Sequence, residues 1–130
     1  MKIIRRLSER NLIVLALLWT IAITVASLIS VGEMPKVDLP GNDKTIHFLF
    51  YFVLTLLWYV ALERKYKNRL LKFLIVGASI IYGIIIEILQ GVLTQNRQAD
   101  VYDALANSAG AFLALLVIFW LNSKTFQNKF

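Results

Sequence analysis

LKFLIVGASIIYGIIIEILQGVL, running from Leu71 to Leu93, decides how the rest of this chain is read. It is long enough to cross a bilayer, which takes about 20 helical residues. Its isoleucines favour strands by propensity. In lipid, however, every backbone N–H and C=O must be satisfied within the segment, so helix wins. Two residues interrupt the apolar run, Glu87 and Gln90. A carboxylate among Ile84, Ile85, Ile86, Ile88 and Leu89 must pair, take up a proton or face water. Polar groups at membrane depth are costly and usually functional.

Three further runs flank this one: Leu12 to Val31, about Thr45 to Leu62, and about Val101 to Leu121. With 130 residues, 58% of them hydrophobic, the chain reads as one membrane domain over its whole length. The expected fold is all-α, a four-helix transmembrane bundle. Lys2, Arg5 and Arg6 ahead of the first run also suit a cleaved signal peptide. The run is longer than the roughly 7–15 residues of a signal core, which favours a retained span. No cysteine is present, which removes disulfides, thiolate metal sites and cysteine nucleophiles.

Basic residues orient the spans. Of the 14 Lys and Arg, only Lys36, Lys44 and Arg97 fall in the two loops on one side; the others flank the opposite side. By the positive-inside rule both termini are expected in the cytoplasm. The same placement argues against nucleic acid, because no basic stripe lies on a soluble face. Trp58, Tyr59, Tyr66 and Trp120 are expected in an interfacial aromatic belt. Pro35 and Pro40 make the first outer loop, up to Asp43, a non-helical connector that can lie across the outer face.

Topology places nearly all the polar residues of the spans at the outer end. Asp43, Lys44 and His47 open the second span, and Asp43, His47 and Tyr51 follow one helical line. Glu87 and Gln90 share a face near the close of the third. Asp100, Asp103, Asn107 and Gly110 form a stripe on the fourth, continued by Ala111 and Ala114. Small residues let helices approach closely in lipid, so that stripe should face the bundle. Gly77, Gly83 and Gly91 offer the same on the third helix. Simple readings compete: Asp43 and Asp100 can be helix caps, Lys44 can snorkel, and the whole set can be a hydrogen-bonded network that holds helices together.

At these residues the chain resembles the VanZ-like family of small bacterial membrane proteins, named for a protein tied to glycopeptide (teicoplanin) resistance. The resemblance rests on Asp43-Lys44-Thr-Ile-His47 followed by Tyr51, Glu87-Ile-Leu-Gln90, Arg97, and Asp103-Ala-Leu-Ala-Asn107-Ser-Ala-Gly110. It runs from about Gly41 to Ala114. The chain departs from the family pattern at Gln95-Asn96, where Pro-Gly is common, and at Ala114, where a second Gly is common. The resemblance implies a cell-envelope role in the bacterial cytoplasmic membrane, on lipid or polyprenol headgroups.

Three functions compete on this reading. One is an enzyme for phosphoryl transfer or transesterification on a phosphate-bearing headgroup. There Lys44 and Arg97 hold the phosphate, His47 acts as base or nucleophile oriented by Asp43 or Asp103, and Glu87 is the matching acid. Gln90, Asn107 and Asp100 complete the substrate contacts. The second is a non-catalytic binder of envelope lipid or glycopeptide, and the third is a purely structural network. The expected cofactor is none. The variant is a divalent cation on His47, Glu87, Asp100 and Asp103, whose carboxylates suit Mg²⁺ or Mn²⁺.

Overall fold

The Ser8 hydroxyl accepts the Asn11 N–H at 3.2 Å and starts the first helix three residues ahead of the apolar run. The computed structural model describes residues 8–29, 43–94 and 99–127. Within them the chain forms four helices: α1 (Glu9–Leu28), α2 (Asp43–Glu63), α3 (Leu71–Leu93) and α4 (Val101–Gln127). All four are long and apolar enough to cross a membrane, and no strand occurs among the described residues. The expected all-α bundle of four spans is what the chain forms.

The helix ends differ from the apolar runs for local reasons. α1 stops at Leu28 because Ile29 turns extended. α4 continues past Leu121 to Gln127. There the fall in apolarity marks the edge of the membrane rather than the end of the helix.

Side-chain contacts fix an up-and-down arrangement. Gln90 near the close of α3 reaches Ser27 near the close of α1 at 2.8 Å. Lys44 at the start of α2 reaches Asp100 and Asp103 at the start of α4. At the opposite end Leu12 and Ala16 of α1 pack on Ala61 of α2, and Tyr59 of α2 meets Asn122 of α4 at 3.4 Å. The start of α1 and the end of α4 therefore share one end of the bundle.

α2 is the central helix, packed against each of the other three, while α1 and α4 do not meet. Its closest neighbour is α4. A Cβ at Gly110 would overlap the Phe48 carbonyl of α2, so the two backbones touch there. The rest of the α4 stripe, Asn107, Ala111, Ala114 and Ile118, is buried as its small residues imply. The third-helix glycines divide. Gly83 faces Tyr51 and Asn107, and Gly91 faces Ala99, but Gly77 has nothing within 4 Å and mediates no close approach.

α1 is held by polar contacts as well as by packing. The Trp19 indole N–H donates to the Phe50 carbonyl at 3.0 Å. The Trp58 indole donates to Thr20 Oγ1 at 3.0 Å, and the Tyr82 hydroxyl bonds Thr24 and the Thr20 carbonyl. Trp58 thus turns inward and does not join an aromatic belt, because its N–H finds a partner on α1. Trp120 is 55% exposed, with Lys124 lying 4.1 Å over its ring, as an interfacial residue should. The outward apolar face includes Leu18, Ile21, Leu74, Ile81, Val92 and Leu116, all strongly exposed. A bilayer is the solvent that suits such a surface.

Candidate functional site

Four helix ends meet at one end of the bundle, and the polar residues of α2, α3 and α4 converge there. Side-chain exposure falls from rim to floor: Lys44 44%, Asp100 38%, Asp103 16%, His47 12% and Glu87 5%. Lys44 spans the rim, with its ammonium 3.4 Å from Asp100 Oδ2 and 3.5 Å from Asp103 Oδ1.

Asp100 sits where the connection from α3 enters α4. Its Oδ1 accepts the Tyr102 N–H at 2.8 Å, and its carbonyl accepts the Asp103 and Ala104 N–H groups. It is therefore a helix cap that also meets the Lys44 ammonium at the rim. The Tyr102 N–H, and after it the Lys44 ammonium, hold its carboxyl below the usual carboxylate range. Its own backbone N–H donates to Glu87 Oε2 at 3.2 Å, which ties the start of α4 to the buried carboxylate of α3.

His47 occupies the centre. Its Nδ1 lies 3.2 Å from Asn107 Oδ1 and 3.9 Å from Glu87 Oε1, and its Nε2 lies 3.7 Å from Asp103 Oδ2. The imidazole is thus bracketed by two carboxylates and an amide drawn from α3 and α4. One ligand atom from each of His47, Glu87 and Asp103 lies within 4.8 Å of the other two, a grouping that can hold a metal ion.

Three buried polar atoms have no hydrogen-bond partner within the described protein: Glu87 Oε1, Asn107 Nδ2 and the Tyr51 hydroxyl. They belong to one region. The Tyr51 ring edge and the Asn107 amide both press on the space above Gly83, where an added Cβ would stand 3.0 Å from Tyr51 Cε1 and 3.2 Å from Asn107 Nδ2. Buried polar groups are normally satisfied. These three lie in the same part of the bundle as His47.

Most of the residues singled out in the sequence are brought together here: Lys44, His47, Glu87, Asp100, Asp103 and Asn107. Gln90 goes elsewhere. Its side-chain amide turns to α1 and donates to the Ser27 carbonyl at 2.8 Å. That carbonyl lies in the last turn of α1, where no intrahelical donor serves it. Arg97, the Asp43 side chain and the loop at residues 30–42 lie outside the described residues. Tyr51, placed by helical spacing on the His47 line, is buried in the core with Ile23 and Leu54. Gly83 was read only as a close-approach position.

Below the niche lies a cavity of about 270 Å³ between α1, α2 and α3, lined by Thr20, Leu54, Trp58, Leu62, Ser79 and Tyr82, among others. The Thr20, Trp58, Ser79 and Tyr82 polar groups are engaged with protein partners, so its walls are apolar in effect. Tyr82 connects it with the niche through its ring contact with Tyr51, centroids 6.0 Å apart.

A family model described as VanZ/LLP1 matches residues 4–122, which accords with the resemblance carried by the polar motifs. An uncharacterized protein of the yeast Schizosaccharomyces pombe is 35% identical over 86 residues, covering 66% of this chain and 52% of the relative. The chain spans about half the length of that relative. No solved structure matches. The relative is fungal, so a bacterial setting rests on the resemblance alone.

Proposed function

The chain belongs to the VanZ/LLP1 family, and from that premise we propose that its polar niche binds the phosphate-bearing headgroup of an envelope lipid or polyprenol. The membrane is then the bacterial cytoplasmic membrane. In this reading both termini lie in the cytoplasm, which the Lys and Arg distribution supports, and the niche opens to the outer leaflet.

One observation carries this reading: a half-exposed ammonium, Lys44, stands above three unpartnered buried polar atoms. An amphiphile satisfies the whole arrangement. Its phosphate meets Lys44 at the rim, its glycerol or first isoprenoid oxygens meet Asn107 and Tyr51, and its chain enters the apolar cavity beneath them. The pocket then follows the usual pattern of apolar walls with a few placed polar groups.

A catalytic version is favoured by the His47–Asp103 pair at 3.7 Å. With Nδ1–H donating to Asn107 Oδ1 at 3.2 Å, Nε2 is free to take a proton, and the Asp103 carboxylate beside it stabilises the imidazolium formed. Turnover of a bound lipid separates this version from binding alone.

The test is mass spectrometry of lipids that co-purify with the wild type and with His47→Ala and Glu87→Ala, after each is shown to be folded. Wild type should carry a phosphorylated lipid that both variants lose. Identical, unmodified lipids in all three preparations would end the proposal.

A further inference from the structure

Among the described residues the niche carries more negative than positive charge. The Glu87, Asp100 and Asp103 carboxylates gather around His47 and the start of α4, and the Lys44 ammonium is shared between Asp100 and Asp103. A phosphate entering such a site meets net negative charge. Glu87 is 4% exposed, and its Oε1 faces His47 without a hydrogen-bond partner among the described residues. A buried carboxylate in that position takes up a proton, pairs with a cation or binds a metal, and the imidazole and second carboxylate beside this one supply further metal ligands.

We propose that His47, Glu87 and Asp103 hold a divalent cation of the Mn²⁺ or Mg²⁺ class, and that this cation bridges the protein to a phosphate headgroup. The cation's purpose rests on the headgroup reading above; its site does not. The donor atoms lie within 4.8 Å of one another, whereas two bonds of about 2.1 Å span at most about 4.2 Å. Neighbouring ligands of an octahedral ion stand about 3.0 Å apart, so side-chain rotations must draw these donors together by up to about 2 Å. One imidazole and two carboxylates form a hard, oxygen-rich set without thiolate, which favours Mn²⁺ or Mg²⁺ over a structural zinc.

Neighbouring groups already hold these side chains. The Asp100 N–H fixes Glu87 Oε2 and leaves Oε1 to the ion. Lys44 holds the outer oxygen Oδ1 of Asp103 and leaves Oδ2 on the His47 side. Asn107 keeps the imidazole ring in plane from Nδ1. Two positive charges on the ion offset the Glu87, Asp100 and Asp103 carboxylates that Lys44 leaves unbalanced among the described residues. The site then attracts a phosphate oxygen into the open coordination positions, as divalent ions with few protein ligands commonly do.

The experiment is a Mn²⁺ titration of chelator-stripped, detergent-purified protein followed by electron paramagnetic resonance. Wild type should remove free Mn²⁺ signal in proportion to one ion per chain. Glu87→Gln and Asp103→Asn should each weaken binding at least about tenfold. Glu63→Gln, an acidic residue at the other end of α2, should bind as wild type does. Because Glu87 is buried, Asp103→Asn is the deciding variant, with folding checked by circular dichroism. No Mn²⁺ uptake by wild type, or equal uptake by Asp103→Asn, overturns the site.

A second arm measures phosphatidic acid retained from mixed micelles with Mn²⁺ or with EDTA. Retention that requires Mn²⁺ supports the bridge. Retention indifferent to EDTA overturns the bridge while leaving the headgroup reading intact. Mn²⁺ uptake without retention of any phosphorylated lipid sustains the metal site and sinks the headgroup reading instead.

Discussion

The backbone N–H of Asp100 donates to Glu87 Oε2 at 3.2 Å, so the carboxylate most deeply buried in the niche is also the anchor for the first turn of α4. One oxygen of Glu87 does structural work, and the other faces His47.

That division predicts an ordered mutational series. Glu87→Gln keeps an acceptor for the Asp100 N–H and should cost about 1 kcal/mol or less. Glu87→Leu leaves that N–H without its partner and should cost about 1–3 kcal/mol. Reversible unfolding in mixed micelles checks the order. Equal costs would mean that the Asp100 contact contributes nothing.

The glycines give a second series, graded by what an added methyl would meet. At Gly110 it overlaps the Phe48 carbonyl, which a helix cannot move, so Gly110→Ala should abolish most folded yield. At Gly83 it meets the Tyr51 and Asn107 side chains, which can shift. Gly83→Ala should cost about 1–3 kcal/mol through overpacking and should also weaken headgroup and Mn²⁺ binding by displacing Asn107. At Gly77 it meets nothing within 4 Å, so Gly77→Ala should be neutral or slightly stabilising. Size-exclusion yield and melting temperature of the three variants test the ranking.

Gln90 supplies a contrast. Its amide caps the open Ser27 carbonyl of α1 and is turned away from His47. Gln90→Leu should lower stability by about 1 kcal/mol and leave phospholipid and Mn²⁺ binding unchanged. Lost binding with unchanged stability would return Gln90 to the niche.

How far the chain could be read in advance differs between helices. The spans and the niche were legible because apolar length and isolated polar residues are each strong signals in a membrane protein. His47, Glu87, Asp103 and Asn107 could be placed together from helical spacing and up-and-down topology alone. The partners of α1 could not. Thr20, Thr24 and Ser27 do share one helical line and meet Trp58, Tyr82 and Gln90, but small hydroxyls in an apolar run are a faint signal beside isolated charges. For that reason Gln90 was grouped with Glu87 and not with Ser27, and Trp58 was placed in a belt although it reaches Thr20. Tyr51 illustrates the other difficulty: a buried hydroxyl becomes informative only once its surroundings are known to offer it no partner.

Lys44 permits a prediction about the rim. Lys44→Gln removes the only ammonium at the rim among the described residues and frees Asp100 and Asp103 from it. It should weaken phosphorylated-lipid retention by about tenfold. Stability should change little, because the Lys44–Asp100 pair is exposed. Native mass spectrometry and thermal melts on one preparation separate the two effects.

The most direct test compares two lipids that share their acyl chains, phosphatidic acid and diacylglycerol, for retention by the purified protein under native mass spectrometry. If the niche recognises phosphate, wild type keeps phosphatidic acid in clear preference, and His47→Gln combined with Asp103→Asn erases that preference while the chain stays folded. Equal retention of both lipids by the wild type would contradict the account at its root.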